Sequence, residues 1–136
     1  MTVRVVPAAE PPPGEPVGSW PLRPEPSSAR LARRLVTQAM DGAQEQVLRR
    51  AALVTSELVS NSVRHARGGM SLALNRLNGG WIVAVADDSS APPQLRDAGP
   101  LSENGRGMLI VDRVSEQLGW SRTPTGKVVW AQFADR

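Results

Sequence analysis

A polar stretch from Glu57 to His65 is the first place where residue types and spacing could carry out chemistry. Glu57 and Asn61 are four residues apart, so on a helix they lie one turn from each other on one face, which Arg64 continues. The amide oxygen of Asn61 is a suitable ligand for a hard cation such as Mg²⁺, and the Glu57 carboxylate could accept a proton from a hydroxyl that attacks a phosphate. Taken alone, this stretch is more typical of the polar face of a surface helix.

An alternating apolar stretch that ends in Asp87 and Asp88 is the second candidate. A carboxylate at the end of a strand could accept a hydrogen bond from the exocyclic amine of adenine, which would favour adenine over guanine. Aspartate and serine also start turns by bonding their own backbone, and Ser89 follows directly. The sequence is compatible with both roles.

The third candidate is Gly105-Arg106-Gly107-Met108, which opens a segment with helical spacing of apolar residues. Glycines let the backbone approach an anion closely, and the free amides of a first helical turn point toward it. The stretch lacks the third glycine, the preceding parallel strand and the ribose-binding acid of a Rossmann fingerprint, and it is not a Walker loop. It is a candidate phosphate cradle of another kind.

The composition excludes several classes of protein. A chain of 136 residues without repeats is the size of one domain. The absence of cysteine excludes a disulfide framework and a thiolate nucleophile, and a single histidine argues against a dedicated zinc site. The net charge of +3 is spread along the chain, so no direct contact with nucleic acid is expected. No apolar run approaches the roughly 20 residues that cross a bilayer, so we expect a cytoplasmic protein without a membrane anchor.

The elements that must position these residues begin after a proline-rich start. Proline and glycine in residues 1–16 disfavour regular structure, so we expect a disordered tail there and one domain over residues 17–136. Gly18 to Leu22 can form only an edge strand, because Pro21 lacks the N–H that a central strand must donate.

Apolar periodicity predicts three helices and four further strands. A first helix follows Ser27 or Ser28, either of which could cap it, and ends before Asp41-Gly42. The other predicted elements are helices over 44–66 and 106–117 and strands over 70–77, 81–85, 119–122 and 127–133. A serine-, proline- and glycine-rich stretch from Asp88 to Asn104 is long enough to be a functional lid. This order predicts an α+β two-layer sandwich, a mixed or antiparallel sheet covered on one face by about three helices.

The three candidates, in this order, resemble the GHKL (Bergerat-fold) family of ATP-binding domains, and within it the bacterial anti-sigma-factor serine/threonine kinases and their short actinobacterial relatives. The resemblance covers nearly everything after Val17. The family's asparagine box, aspartate box, glycine box and closing strand match residues 57–66, 83–93, 105–114 and 126–133.

The resemblance implies a role for each candidate residue, with ATP and Mg²⁺ as cofactors. Asn61 would be the ligand through which Mg²⁺ bridges the phosphates, Glu57 the general base, and Arg64 a charge partner near the phosphates. Asp87 would bind adenine. Gly105, Arg106, Gly107 and Met108 would form the lid hinge and the phosphate cradle.

The chain departs from the family pattern at three positions. Ser89 and Ala91 stand where the aspartate box usually has glycines, so the shape of that turn is open. In the closing strand, Lys127 follows Gly126 where relatives commonly have a threonine that supports the adenine-binding carboxylate. Thr125 could compensate.

The resemblance also implies a function: phosphorylation of an anti-anti-sigma factor of the STAS type on serine or threonine. The alternative is a nucleotide-dependent binding module that sequesters a sigma factor or another regulator without significant kinase activity. The presence of Glu57 favours the kinase. A domain whose motifs have decayed to a protein-contact role is disfavoured, because Asn61, Asp87 and both glycines of the glycine box are present. A homodimer is left open.

Overall fold

The computed structural model describes residues 10–93 and 111–136. The elements that it defines there are β1 (Glu15–Leu22), α1 (Ser28–Ala39), α2 (Glu45–Val63), β2 (Met70–Leu77), β3 (Gly80–Asp87), β4 (Gln117–Thr123) and β5 (Gly126–Ala134). Residues 111–114 are also helical and belong to the predicted third helix, whose first part lies outside the described residues. None of the helices in the described stretches is long and apolar enough to cross a bilayer.

The strands form one antiparallel sheet in the order β1-β2-β3-β5-β4. β1 lies at the edge, as its proline predicts, and its pairing with β2 shifts register between Pro16 and Gly18. β1 begins at Glu15, two residues before the predicted start of the domain. The other strands pair as two hairpins, β2 with β3 and β4 with β5.

The helices cover one face of this sheet. Alternate residues of the strands point to that face and meet the buried side of α2, which packs on β3 and β5, while α1 packs on α2 and β1. Each buried valine or leucine contributes about 1.5–3 kcal/mol relative to an exposed one. The predicted α+β sandwich is therefore confirmed. Its interior includes Val47, Val54 and Leu58 of α2 and Leu72, Val83, Val85 and Phe133 of the sheet.

The ends of the helices differ from the sequence prediction in two places. The side-chain cap predicted at the start of α1 does not form, because Ser27 makes no capping hydrogen bond, and the Ser28 hydroxyl instead donates to the Arg23 carbonyl oxygen at 2.6 Å. The second helix ends at Val63 instead of residue 66. The backbone N–H groups that follow it at positions 65 and 66 both bond the Ser62 carbonyl, which tightens the chain before β2.

The turn between β2 and β3 confirms the hairpin that Asn78-Gly79-Gly80 predicted. Gly79 has a φ of 79°, the left-handed conformation that such a turn requires and that glycine adopts without strain. This hairpin fixes the register that places Met70 opposite Asp87. The end of β3 is thereby held next to the loop that follows α2.

Candidate functional site

The C-terminal half of α2 brings together the three residues that the sequence grouped there. Asn61 is 1% exposed, and its Oδ1 accepts a hydrogen bond from Arg64 Nη2 at 3.1 Å. Partial burial lowers the pKa of Arg64, and the negative charge of nearby Glu57 opposes that lowering. The arrangement places one amide oxygen, one cation and one carboxylate on neighbouring turns of the helix.

Several buried polar atoms on α2 and just after its end have no hydrogen-bond partner among the described residues. Ser62 Oγ and His65 Nε2 have no hydrogen-bond partner in the part of the chain that the structure describes. Thr55 Oγ1, about two helical turns before Ser62, has none there either. Buried polar atoms normally have a partner in the protein or an ordered water.

Asp87 is held in a buried ion pair at the end of β3. Lys127 Nζ lies 2.9 Å from Asp87 Oδ1 and 3.0 Å from Oδ2. The two residues are directly opposite each other in the pairing of β3 with β5, so both side chains point to the helix-covered face. The exposed fractions of their side chains are 1% for Lys127 and 0% for Asp87. The sequence marked Lys127 only as a departure from the family pattern.

Asp87 also starts the turn that follows β3. Its Oδ1 accepts a hydrogen bond from the Ser89 N–H at 3.0 Å, and Ser89 Oγ in turn accepts one from the Ala91 N–H at 3.2 Å. The turn-forming role predicted for this stretch is confirmed. Ser89, which stands at a family glycine position, thus stabilises the turn through two hydrogen bonds. The contact of Asp87 with adenine stays a prediction.

Gly126 allows Lys127 to reach Asp87. A β-carbon on Gly126 would lie 2.7 Å from the Asp88 Cα and would collide with the Asp87 carbonyl oxygen, so only glycine lets β5 begin this close to the end of β3. Thr125, which the sequence offered as a substitute partner, does not bond Asp87: among the described residues the carboxylate accepts from Lys127 and Ser89.

The neighbouring Asp88 binds the loop that follows α2. Its Oδ1 accepts from the Arg67 N–H at 2.7 Å, and its Oδ2 accepts from the Gly68 and Gly69 N–H groups at 2.9 and 3.0 Å. The hydrogen bond from Gly69, followed by the one from Arg67, lowers the pKa of Asp88. These bonds fix the end of the Asn61 helix against the end of the Asp87 strand. The sequence did not assign this role to Asp88.

A comparison with protein families identifies the family of this chain. The family described as histidine kinase-like ATPase domain matches residues 22–133, from the last residue of β1 into β5. The chain belongs to this family. Its members of the GHKL type bind ATP, so the protein is an ATP-binding regulatory domain, as the resemblance predicted. A comparison with curated proteins finds no match.

The matched part of this ATPase domain takes in every residue predicted for the site. Glu57 and Asn61 lie on α2 and Arg64 directly follows its last residue, and Asp87 lies at the same end of the sheet as the loop after α2. Gly105, Arg106, Gly107 and Met108 lie outside the described residues, as does the predicted lid from residue 94 onward. The individual roles of all these residues stay predictions.

Arg122 anchors the first residues of the predicted lid of the ATPase domain. Its guanidinium donates to the Ser90 carbonyl oxygen and lies 5.4 Å from the centre of the Trp120 ring. Together with the Asp88 contacts, this bond attaches the start of the predicted lid to β4 on one side and to the α2 loop on the other. An arginine on a strand carries no local sequence pattern that would have indicated this role.

A cavity of about 320 Å³ lies where β2 begins and β3 ends, and its lining takes in residues of both faces of the sheet. Ser71 and Ala86, which are opposite each other in the sheet and alternate with the core residues, belong to its lining. Asp87 also belongs to the lining, so the cavity adjoins the residue that is predicted to bind adenine.

Proposed function

We propose that this ATPase domain binds ATP with Mg²⁺ against the C-terminal half of α2 and transfers the γ-phosphoryl group to a serine or threonine of an anti-anti-sigma factor of the STAS type. The observation that carries the proposal is the grouping of Glu57, Asn61 and Arg64 at the C-terminal end of α2, with Arg64 as the residue that directly follows the helix. A carboxylate, an amide oxygen and a guanidinium are the three kinds of group that phosphoryl transfer to a hydroxyl uses.

Asn61 would hold the metal ion. Its Oδ1 accepts one hydrogen bond from Arg64 and keeps a second lone pair. The Arg64 residue is exposed to solvent although its guanidinium is partly buried, so its side chain can turn toward a phosphate when Oδ1 takes a cation. Mg²⁺ commonly uses one or two protein oxygens together with phosphate oxygens and water. That fits a site where, among the described residues, no three histidine, aspartate or glutamate side chains converge.

Glu57 would act as the general base. Its carboxylate accepts the proton of the attacking hydroxyl, the hydroxyl oxygen bonds to the γ-phosphorus, and the bond from that phosphorus to the bridging oxygen breaks as ADP leaves. Arg64, about two helical turns from Glu57, supplies positive charge where negative charge spreads over the transferred oxygens. Mg²⁺ supplies further charge neutralisation there when it is bound.

A nucleotide-dependent binding module that sequesters a sigma factor or another regulator is the second candidate. It is favoured because both predicted ligand groups already have partners within the chain: Asn61 Oδ1 is bonded to Arg64, and the Asp87 carboxylate is bonded to Lys127. A domain with these contacts would bind nucleotide mainly to order its partner surface. Retention of Glu57 favours the kinase.

Calorimetric titration with ATP and Mg²⁺ tests the nucleotide site. We expect Asn61→Ala to weaken binding by about 10-fold to 100-fold, the usual loss when a metal site loses a supporting group. The matched control is Ser60→Ala, on the preceding residue of the same helix, which should bind as the wild type does. Equal affinity of the Asn61→Ala variant and the wild type would show that the nucleotide site is not on α2.

Transfer of labelled γ-phosphate to a panel of STAS-type proteins tests the kinase. Glu57→Gln should lower the transfer rate about 10²-fold to 10⁴-fold while ATP affinity is kept, because a general base acts on the chemical step. Glu45→Gln, in the first turn of α2, is the control and should leave the rate unchanged. Tight ATP binding without transfer by the wild type would select the binding module.

A further inference from the structure

Lys127 is the sole lysine of the protein; every other residue among its 16 lysines and arginines is an arginine. It is also fully buried. An ammonium is a compact charge that can bridge both oxygens of one carboxylate inside a protein, and it does so here with Asp87 at 2.9 and 3.0 Å. The only lysine is thus committed to the one carboxylate that the family resemblance assigns to the base of the nucleotide.

The hydrogen-bonding capacity of Asp87 is nearly used up. An ionised carboxylate offers about four acceptor positions. Lys127 takes one on each oxygen, and the Ser89 N–H takes another on Oδ1. The remaining position on Oδ2 is covered, since the Asp87 side chain is 0% exposed. A ligand would have to displace the ammonium to reach this carboxylate.

Displacement of Lys127 is unfavourable. A buried ammonium that loses its partner keeps the full cost of its desolvation, and a single hydrogen bond from a neutral amine does not repay it. Lys127 is also held by the sheet: its backbone pairs with Asp87 next to Gly126, where only a glycine fits. The ion pair is therefore expected to persist when a ligand binds.

We propose that Lys127 is a specificity-determining residue of the nucleotide site and that it makes the site tolerant of the base. At position 6 adenine has an amine donor, whereas guanine has a carbonyl acceptor, so a free carboxylate selects adenine. Lys127 withdraws the Asp87 carboxylate from this contact. The domain then binds adenine and guanine nucleotides with similar affinity, through contacts to their phosphates. This inference rests on the nucleotide binding proposed above.

Titration of the wild type with ATP and with GTP, each with Mg²⁺, tests the inference directly. The two dissociation constants should agree within about threefold, a difference smaller than one hydrogen bond contributes. ATP binding that is about tenfold or more tighter than GTP binding would overturn the inference and leave the proposed function intact. Failure of the folded wild type to bind either nucleotide would overturn the proposed function, and this inference with it.

The variant Lys127→Thr should create the missing selectivity. Without the ammonium, Asp87 regains acceptor positions, and the ratio of the GTP to the ATP dissociation constant should rise about tenfold. The control is Val128→Thr, which makes the same residue on the opposite face of β5 and should keep the wild-type ratio. A Lys127→Thr protein that folds and still binds both nucleotides equally would contradict the role of Lys127.

If Lys127→Thr does not fold, a measurement on the wild type tests the same inference. Lysine labelled with ¹⁵N at Nζ gives a single side-chain resonance, because the chain has one lysine. We expect ATP and GTP to leave this resonance in the same, ion-paired position. A change in the resonance with ATP alone would show that adenine displaces or contacts Lys127, and the inference would be wrong.

Discussion

The two ends of the sheet each carry an aspartate in an ion pair, in opposite surroundings. At one end, Asp87 and Lys127 are buried, with side chains 0% and 1% exposed. At the other, Asp135 lies 3.0 Å from Arg76 Nη2, with side chains 25% and 47% exposed, and also accepts a hydrogen bond from the Trp81 indole at 3.0 Å. A carboxylate is thus paired with a lysine in the interior and with an arginine at the surface.

The difference indicates at which end the charged pair has a role other than stability. A surface ion pair costs little to form and contributes little, whereas a buried pair pays a desolvation penalty that an apolar pair of the same size would avoid. The pair of Asp87 and Lys127 is therefore poorly explained by stability alone. It lies at the end of the sheet that is near Asn61 and the Asp88 contacts, where we propose the nucleotide site.

Removal of one charge from the buried pair should give the largest effect on stability. Asp87→Asn leaves Lys127 charged, buried and unpaired, so the free energy of unfolding should fall by about 3–5 kcal/mol. The double variant Asp87→Asn/Lys127→Met, which removes both charges, should recover most of that loss. Guanidinium denaturation measures both. A single variant that loses less than about 1 kcal/mol would mean that the pair is accessible to water.

The corresponding change at the surface end should be much smaller. Asp135→Asn removes the charge that faces Arg76 but keeps an oxygen for the Trp81 indole. The free energy of unfolding should therefore fall by only about 0.2–1 kcal/mol. The same denaturation experiment provides the comparison. Similar losses for Asp87→Asn and Asp135→Asn would remove the contrast between the two ends.

The smallest effect should be the pH dependence due to Asp88. Its pKa in the folded protein is lowered from the ordinary 3.8, so its contribution to stability is complete above that value and is lost as the pH falls through the lower, folded-state pKa. The melting temperature of the wild type, followed by circular dichroism from about pH 5 to about pH 2, should therefore fall more steeply than that of Asp88→Asn. Parallel curves would show that the bonds to residues 67–69 do not depend on the charge.

Much of the fold could be predicted from the sequence because the pattern is local. Apolar spacing indicated α1, α2 and both hairpins, Pro21 indicated the edge strand, and the aspartate-serine stretch after β3 indicated its turn. The grouping of Glu57 with Asn61 and Arg64 also follows from spacing on one helix. Each of these predictions uses residues within a few positions of one another.

The contacts that the sequence did not predict join residues that are distant in the chain. The pairing of Lys127 with Asp87 depends on the register between two strands, which no local pattern specifies. The Asp88 contacts use backbone N–H groups of Arg67, Gly68 and Gly69, which carry no side-chain signature. These bonds also hold the loop after α2, where the prediction extended the helix to residue 66.

The place of β1 at the edge of the sheet has a consequence for the order in which the chain folds. The two hairpins close over short turns, whereas β1 must pair with β2 across both helices, as Trp20 does with Leu72. Closing the longer loop costs more entropy, so the hairpins are expected to form early and β1 to dock last. Until then the edge of β2 has unpaired backbone groups, and it is the part of the nascent domain most able to capture a strand from another molecule.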